Sequence, residues 1–455
     1  MINPLTTNVK SSRQKKTSRQ KRLLYWRNKG NEMRRISRLI FFGLYGNFLP
    51  VKTIAPERSL SLYDAERAID QHFSDEGIQV TLQRYGSPLS STVATLHFPY
   101  DSCGMEDVGC GKGYEAEARV GAKYEAYEHA MGPLQLRHYS ALHGFDLVAS
   151  QPALQHVLPM QMLQRADASQ IGALTFEAHE ASAGVGLLYP AFLINHRYAQ
   201  ESIPGDDVDY AAARRYSCGT GVAAGVGFTE AAIHAASEVI ERHGIGRFIA
   251  QHFFYDSKAP IKKIDHASMP EALMNTLRDA EIALGASIEV FDATSQIPYP
   301  VFIAYCPDRT IADIHVIGGG CSLYPSHAAA RAIKELVQQY KVAEGVEHVT
   351  QEWAHSNNNL ARHPRLLRCL RMAFDARQRA KMLACRMPED PEPMPLDQHL
   401  SHLKRTCFNA GHPLWLKELH ASANRVSLAC AVMPKMERFS IVSLGGKVVP
   451  CYQYA

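Results

Sequence analysis

The segment FTEAAIHAASEVIERHGIGRF, residues 228–248, is apolar on most sides of a helix but carries Glu238 and Glu241 three residues apart in the motif SEVIER. At 100° per residue, a stripe about 80° wide collects its polar side chains. These are Glu230, His234, Glu238 and Glu241. Unpaired carboxylates are costly to bury, so they either become protonated or bind a cation. The pattern predicts a buried helix whose polar stripe lines a site, and an ion-pair network with Arg242 is the alternative.

Two further segments repeat the spacing of this stripe. The first holds Glu117, Gly121, Glu125 and Glu128, and the second holds His327, Arg331, Glu335 and Gln338. All three segments follow glycines that we interpret as turns opening helices: GCGKG (109–113), GTGVAAGVG (219–227) and GGG (318–320). A single E-x-x-E pair is weak evidence for a site, whereas three such pairs in matched settings favour a shared one.

The residue types in the stripes suit a bound polyphosphate. Mg²⁺ takes protein carboxylates together with phosphate oxygens, and an E-x-x-E or E-x-x-Q pair places two oxygen ligands on one helical face. Glycine turns at helix N-termini offer backbone N–H groups to phosphate. We therefore expect the three helices to converge on an acidic pocket, with Lys112 and Arg331 as counter-charges. Because the sequence has no Walker-type or protein-kinase motif, a nucleotide site here would be of another kind.

Composition bounds the class of protein. The chain has 455 residues and 46% apolar content, enough for one large or two ordinary domains with real cores. Its ten cysteines are scattered, and none forms a CxxC pair. This spacing argues against a zinc site or a disulfide framework and predicts a reducing, cytoplasmic compartment.

The basic charge is concentrated at the N-terminus. Residues 1–50 contain twelve Lys and Arg against one acidic residue, Glu32, so the segment carries about +11 and the remainder about −7. We predict that residues 1–58 form a basic, disordered extension, and binding to nucleic acid or an anionic membrane is the alternative. The apolar stretch at 39–49 is too short to span a bilayer. A start at Met33 would resemble a signal peptide, but no small-residue cleavage site follows, so we do not expect secretion. We also expect no membrane span, because no other segment approaches a transmembrane run.

Residues 59–455 are predicted to form one α+β domain. Amphipathic or alanine-rich helices are expected at 61–77, 115–130 and 327–345, and strands at 78–86, 91–100, 287–294, 299–307 and 312–320. Residues from about 343 to 386 read as helical, and the proline-rich segment MPEDPEPMP (387–395) predicts an extended linker. The last segment, 423–450, has strand character with a turn at Gly445 and Gly446.

The motifs together resemble the YcaO family. The elements that match it in order and spacing are GKG (111–113), EAYE (125–128), AAG (223–225), EA (230–231), SEVIER (237–242) and RAIKELVQ (331–338). The resemblance runs from about Leu60 to the C-terminus. It implies a YcaO-type α+β fold with mixed sheets and three glutamate-bearing helices around a central ATP site. It also implies an enzyme that uses ATP and Mg²⁺ to phosphorylate the backbone amide oxygen of a ribosomally made peptide, which gives an azoline or a thioamide.

The resemblance also assigns roles to individual residues. Glu125, Glu128, Glu238 and Glu241 correspond to Mg²⁺ ligands. Lys112, Glu230, Arg242, Arg331, Glu335 and Gln338 correspond to residues of the ATP site. An amide oxygen is a poor nucleophile, so such a site must act largely by alignment and by neutralising phosphate charge.

Some positions depart from the family pattern. His129 stands where Arg is usual, Gly121 where Ser is common, and Ala223 and Val226 where part of the family has Ser and Asn. These substitutions motivate a second hypothesis, a non-catalytic accessory protein that helps in ribosomal protein modification. The chain finishes VVPCYQYA, whereas many azoline-forming members finish in a PxPxP tail, so the expectation of azoline chemistry is weakened.

The partners implied by the resemblance are those of peptide antibiotic or bacteriocin biosynthesis. They are a precursor peptide as substrate and a leader-peptide-binding protein of the E1-like or TfuA-like type. A homodimer is left open. The sequence identifies neither the peptide nor the partner protein.

Overall fold

The computed structural model describes residues 54–99, 108–163 and 169–453. The basic segment 1–50, its apolar stretch 39–49 and the alternative start at Met33 lie outside these residues. The described chain from Ile54 onward forms one compact unit. Among the described residues, every helix is too short or too polar to cross a bilayer.

Helices and strands are interspersed through the first half of the chain. In order they are α1 (Leu62–Asp75), β1 (Gln79–Tyr85), β2 (Ser90–His97), β3 (Val108–Gly113), α2 (Glu115–His138), β4 (Ser140–Gly144), α3 (Phe145–Ala149), α4 (Leu158–Gln161), β5 (Gln170–Phe176), β6 (Leu187–Pro190), β7 (Val222–Val226) and α5 (Phe228–Ile249). The three long helices bearing the stripes include α2 and α5, as predicted from the sequence.

The second half of the chain also contains both helices and strands, and it supplies the third long helix, α7. Its elements are β8 (Ile261–Ile264), α6 (Glu271–Leu284), β9 (Glu289–Asp292), β10 (Val301–Tyr305), β11 (Ile317–Cys321), α7 (Pro325–Gly345), α8 (Glu347–Leu360), α9 (Pro364–Arg371), α10 (Ala376–Ala380), β12 (Met382–Cys385), α11 (Leu396–Asn409), β13 (Trp415–Ala421) and β14 (Val426–Val432).

The described strands form four sheets. Three are three-stranded, with orders β1-β2-β3, β4-β5-β6 and β13-β14-β7, and one is five-stranded with order β11-β10-β9-β8-β12. The pairings are antiparallel except between β8 and β12. Because β14 pairs with β7, the last hairpin completes a sheet that begins in the middle of the chain. Mixed sheets with helices packed on them confirm the predicted α+β class.

The interpretation of the glycine-rich segments as turns is wrong for GCGKG and GGG, which lie in β3 and β11. The segment GTGVAAGVG includes a turn at Thr220 and Gly221, runs through β7 and ends at Gly227, which caps α5. A Cβ on Gly111 would lie 1.8 Å from the carbonyl oxygen of Ala118, and one on Gly320 would lie 2.0 Å from that of Ala328. The glycines of β3 and β11 therefore permit close contact between each strand and the long helix that packs back on it.

Two other element predictions need correction. The segment 343–386 is mostly helical, but Met382–Cys385 forms β12 at the edge of the five-stranded sheet. A four-residue strand is too short to give a periodic signal, so the surrounding helical pattern concealed it. Residues 387–395 have no regular secondary structure, as predicted, whereas Phe439–Leu444 forms a 3₁₀ helix in place of the expected strand.

The largest hydrophobic core explains the apolar character of α5. Ile240 on this helix and Leu336 on α7 are fully buried in the same core as the central strands of the five-stranded sheet. Only the polar stripe of α5 is left to face the other two long helices. The fold thus converts the sequence pattern of residues 228–248 into one buried helix with a single polar face.

Candidate active site

Side chains from the third long helix fasten it to β3. The Lys112 ammonium on β3 donates to the Glu335 carboxylate on α7. The Gln338 side-chain amide on α7 donates to the carbonyl oxygen of Cys110 on β3. Since β3 leads directly into α2, these bonds hold the first and third stripes beside each other.

The second strand and helix, β7 and α5, are joined to both of the other long helices. Glu128 on α2 accepts a hydrogen bond from the Ala224 amide on β7 at 3.0 Å. An Arg331 amino group on α7 lies 3.4 Å from Nδ1 of His234 on α5. These contacts bring residues of the three stripes close to one another.

Arg242 lies between two carboxylates of its own helix. Its nitrogens are 3.8 Å from Glu238 and 3.8 Å from Glu241, and Glu238 also accepts from the Gly221 amide at 3.1 Å. The Glu241 side chain is 4% exposed, whereas that of Arg242 is 38% exposed. One guanidinium partly open to solvent thus serves two carboxylates, which leaves negative charge in the site.

Burial and mutual repulsion raise the pKa of four site carboxyls. The pKa values of Glu125, Glu128, Glu238 and Glu241 all lie above the ordinary glutamate value, first because burial disfavours the charged form. Neighbouring carboxylates add to this, most clearly for Glu128, whose pKa is raised further by Glu238 and Glu125. A cation placed among these groups would lower the pKa of each.

The pKa of Glu335 is shifted in the opposite direction. Burial again opposes its ionisation, but the charges of Lys112 and Arg242 outweigh burial and hold the pKa of Glu335 below the ordinary value. The Glu335 side chain is 11% exposed and that of Lys112 is 25% exposed. This lowered pKa favours an ionised carboxylate that is paired with Lys112.

The two histidines of the stripes are neutral near pH 7. Burial lowers the pKa of His234 well below the ordinary value, and Arg331 lowers it further. Burial likewise lowers the pKa of His327 to about 4. They therefore add no positive charge to the site.

The donors present fit Mg²⁺ with phosphate better than a fully protein-held metal. In the described part of the chain, no three His, Cys, Asp or Glu side chains are placed to hold a metal ion by themselves. Mg²⁺ is commonly held by one or two carboxylates together with substrate phosphates, and the site has carboxylates in excess of cations. Nε of Arg331 is buried without a hydrogen-bond partner, so it is a donor still available to an anion.

A cleft of about 270 Å³ opens beside these groups. Glu128, Glu238 and Arg242 form one wall, and residues near Cys218 and in the 3₁₀ helix Phe439–Leu444 form others. Sequence analysis singled out the glycine-rich segment 219–227 next to Cys218, but it did not identify Phe439–Leu444 as part of a site. The cleft gives a substrate access to the carboxylate cluster.

Glu230, in the first turn of α5, is bonded to the chain segment that precedes α1. It accepts hydrogen bonds from the backbone N–H and the hydroxyl of Ser59, each at 2.8 Å, and pairs with Arg58 at 3.2 Å. Arg58 also contributes to the lowered pKa of His234, so it lies close to the cluster. Sequence analysis missed both contacts, because residues 58 and 59 were assigned to the extension or its border and carry no periodic signal.

The neighbouring Glu57 bonds the same segment to the connection between β11 and α7. Its carboxylate accepts from the Ser322 hydroxyl at 2.6 Å and from the Leu323 amide at 3.2 Å. These residues connect β11 to α7, so the chain entering α1 is bonded to both α5 and the start of α7. Residues 57–59 thus form part of the scaffold that holds the second and third stripes together.

The structure shows the contacts or the burial of each residue that departs from the family pattern. A ring nitrogen of His129 lies 2.7 Å from the carbonyl oxygen of Val108, so this side chain is bonded to the strand beside it. Gly121 is exposed, and a Cβ there would meet only ordinary contacts. Ala223 and Val226 are buried in β7.

Comparison with protein families gives a match over most of the chain. The model for YcaO cyclodehydratases, described as ATP- and Mg²⁺-binding, matches residues 110–437. This range includes most of β3 and all three long helices.

Two solved structures share the fold. A heterocyclase in complex with substrate and cofactor aligns with 87% of this chain and 55% of its own, with 16% identity and a TM-score of 0.61. YcaO from Methanopyrus kandleri bound with AMPPCP and Mg²⁺ aligns with 86% of this chain and 95% of its own, with 16% identity and a TM-score of 0.57. At these identities, the likeness establishes a common fold.

A curated relative comes from Rhizobium leguminosarum bv. trifolii and is named as an uncharacterized protein in the tfuA 3′ region. It is 26% identical over 163 residues, which are 34% of this chain and 36% of the relative. The alignment thus spans about a third of the relative's length.

Proposed function

This chain belongs to the YcaO family, and from that premise we propose that it phosphorylates backbone amide oxygens of a ribosomally made peptide. The family is one of ATP- and Mg²⁺-binding enzymes. The observation that carries the proposal is the excess of buried carboxylates where the three long helices meet, with raised pKa values in the absence of a cation.

The side chains divide into two groups by charge. Glu125, Glu128, Glu238 and Glu241 are the proposed holders of Mg²⁺, because they have unneutralised oxygens on facing helices. Lys112, Arg242 and Arg331 are the proposed phosphate contacts. Glu335 and Gln338 position β3, and Glu230 fixes the segment at Arg58 and Ser59.

Catalysis in this arrangement rests on alignment. When bound, ATP would transfer its terminal phosphoryl group to the amide oxygen and leave as ADP, while Mg²⁺ would neutralise phosphate charge. Attack of a nucleophile on the amide carbon would then expel that oxygen as inorganic phosphate. The three helices are fixed by bonds between elements, so the charged side chains are in place before substrate arrives. The cleft walls from Cys218 and Phe439–Leu444 would hold the peptide and limit access of water.

Within this reaction class we favour a thioamide product. The curated relative lies in the tfuA 3′ region. We take this position as support for a TfuA-like partner over an E1-like one, and such a partner as support for exchange of the amide oxygen for sulfur. The proposed partners are therefore a precursor peptide and a TfuA-like protein, in a cytoplasmic setting.

The test is ATP consumption coupled to peptide modification. The full chain is incubated with ATP, Mg²⁺, sulfide and a pool of synthetic peptides, with and without a TfuA-like protein. ADP release and the intact mass of the peptides are measured. The proposal predicts peptide-stimulated ADP release and a mass gain equal to replacement of oxygen by sulfur, whereas loss of one water would indicate an azoline.

A matched pair of variants makes the test specific. Glu238→Gln keeps size and hydrogen bonding but removes a carboxylate from the site, and it should lose nearly all ADP release. Glu115→Gln makes the same change at an exposed position of α2 and should retain it. Equal activity of the Glu238→Gln variant would contradict the proposal, and folded protein that ignores ATP would favour the accessory-protein hypothesis.

A further inference from the structure

A second cavity lies beside the cleft and is lined by basic side chains. Its volume is about 490 Å³, and its charged lining residues are Arg214, Arg215 and Lys447. All three side chains are exposed. We call it the basic cavity.

No carboxylate neutralises these cations among the residues that the structure describes. Arg215 donates to the carbonyl oxygens of Ala212, at 2.9 Å, and Lys447, at 3.5 Å. These bonds hold its guanidinium on the cavity wall. Three positive charges around one cavity repel each other, so an anion placed between them gains from all three.

Nearby acidic residues have other partners. Asp206 accepts from the hydroxyls of Tyr198 and Tyr210, each at 2.8 Å. Asp209 accepts from the Ala211 amide at 2.8 Å, and Glu201 lies 3.9 Å from Arg137. These carboxylates therefore do not neutralise the three cations of the basic cavity, which are left to attract an anionic ligand.

The basic cavity adjoins the cleft of the candidate active site. His196 lines both spaces. On the opposite side, Ser443 and Leu444 line the cleft, and Lys447 follows three residues later in the basic cavity. An extended chain with an amide in the cleft can therefore continue past His196 into the basic cavity.

We infer that the basic cavity binds an acidic segment of the peptide substrate, with Asp or Glu side chains near the amide in the cleft. The inference rests on the proposed function, because it takes the occupant of the cleft to be a peptide. A nucleic acid fits less well, since no Phe, Tyr or Trp side chain lines the cavity to form a stacking platform for bases. The cavity thus selects substrates by charge on one side of the modified position.

The test compares two labelled peptides that differ only in a pair of residues, Glu-Glu or Gln-Gln. Binding to the full chain is followed by fluorescence anisotropy at low salt. The triple variant Arg214→Gln, Arg215→Gln, Lys447→Gln should weaken binding of the Glu-Glu peptide about tenfold, because each exposed ion pair contributes modestly. Added salt should reduce the difference, since the charges are exposed to solvent.

A matched triple variant controls for net charge. Lys258→Gln, Arg278→Gln, Arg386→Gln removes three exposed cations that line neither space and should bind the Glu-Glu peptide as the unmodified chain does. Equal weakening by both triple variants, equal affinity for both peptides, or tighter binding of a single-stranded oligonucleotide than of the Glu-Glu peptide would each overturn the inference.

Activity measurements separate this inference from the proposed function. The basic-cavity variant should keep the binding of AMPPCP and Mg²⁺ and raise KM for acidic peptides with little change in kcat. ADP release without any charge preference overturns the inference and leaves the function standing. Charge-selective binding without ADP release leaves the binding site supported and contradicts the function.

Discussion

Glu128 and Glu335 lie in the same cluster, but their surroundings act on their ionisation in opposite directions. Burial and the carboxylates of Glu238 and Glu125 raise the pKa of Glu128. For Glu335, the charges of Lys112 and Arg242 outweigh burial and lower the pKa. The same substitution, Glu to Gln, should therefore have opposite effects on stability at the two positions.

The first prediction concerns the pH dependence of that difference, measured by urea unfolding with a metal chelator present. A raised folded-state pKa means that the stability contributed by Glu128 is full below pH 4.5 and is lost as pH rises. Glu128→Gln should therefore gain stability relative to the unmodified chain as pH rises above this value. The carboxylate of Glu335 stabilises the fold above pH 4.5, so Glu335→Gln should cost about 1–3 kcal/mol at pH 7 and less at pH 4.

Mg²⁺ with AMPPCP should reverse the gain in stability that is expected for Glu128→Gln. Once a cation neutralises the cluster, the carboxylate of Glu128 becomes favourable, and the unmodified chain should gain more stability from the ligands than the Glu128→Gln variant. If Glu128→Gln and Glu335→Gln shift stability in the same direction at every pH, the electrostatic description of the cluster is wrong.

At the scale of elements, the three units of strand and helix depend on glycine for their close contact. A Cβ on Gly111 would meet the backbone of α2 at 1.8 Å, whereas one on Gly144 would meet nothing within 4 Å. Gly111→Ala should therefore destabilise the chain by about 2 kcal/mol or more, because neither backbone can move away without disturbing the unit. Gly144→Ala is the control and should change the free energy of unfolding little, as measured by urea titration.

The helix α1 is held on α2 by an ion-pair network. Glu66 accepts from Arg119 at 2.7 and 2.8 Å and from Lys123 at 2.9 Å. The hydrogen bond from Arg119 is the main cause that lowers the pKa of Glu66 to about 2. The network thus fixes α1 at the start of the described domain.

The third prediction follows from this lowered pKa. The ionised Glu66 stabilises the fold fully above pH 4.5, and the contribution falls as pH decreases towards 2. With allowance for solvent screening, Glu66→Gln should cost about 1–2 kcal/mol at pH 7 and less at pH 4. Glu115→Gln, which breaks an exposed pair between α2 and Arg84 on β1, should cost less than Glu66→Gln in the same unfolding experiment. Equal costs would show that the network around Glu66 adds nothing beyond a surface ion pair.

Element predictions succeeded where the periodic signal was long. The helices α2, α5 and α7 each contain a polar stripe over at least three turns, so their type and facing side chains followed from spacing alone. The glycines were misread because glycine in a strand and glycine in a turn look alike without knowledge of what packs against them. The short strand β12 gave no signal of its own.

For the whole molecule, sequence reasoning placed the stripes in one site but missed the parts that come from distant segments. Arg58 and Ser59 bond to Glu230 from 172 and 171 residues away. Phe439–Leu444 reaches the cleft from beyond β14. Such contacts depend on the packing of sheets that pair distant strands, and no local pattern in the sequence records them.

The central claim is that side chains from all three long helices bind one nucleotide together with Mg²⁺. Isothermal titration of AMPPCP tests it most directly, with Mg²⁺ or a chelator, on the full chain and three single variants: Glu128→Gln on α2, Glu238→Gln on α5 and Arg331→Gln on α7. We predict Mg²⁺-dependent binding that each variant weakens about tenfold or more, because each removes a charged contact in a desolvated site, and that Glu115→Gln leaves unchanged. Binding that needs no Mg²⁺, or that is unaffected by the change on any one of the three helices, would contradict the account.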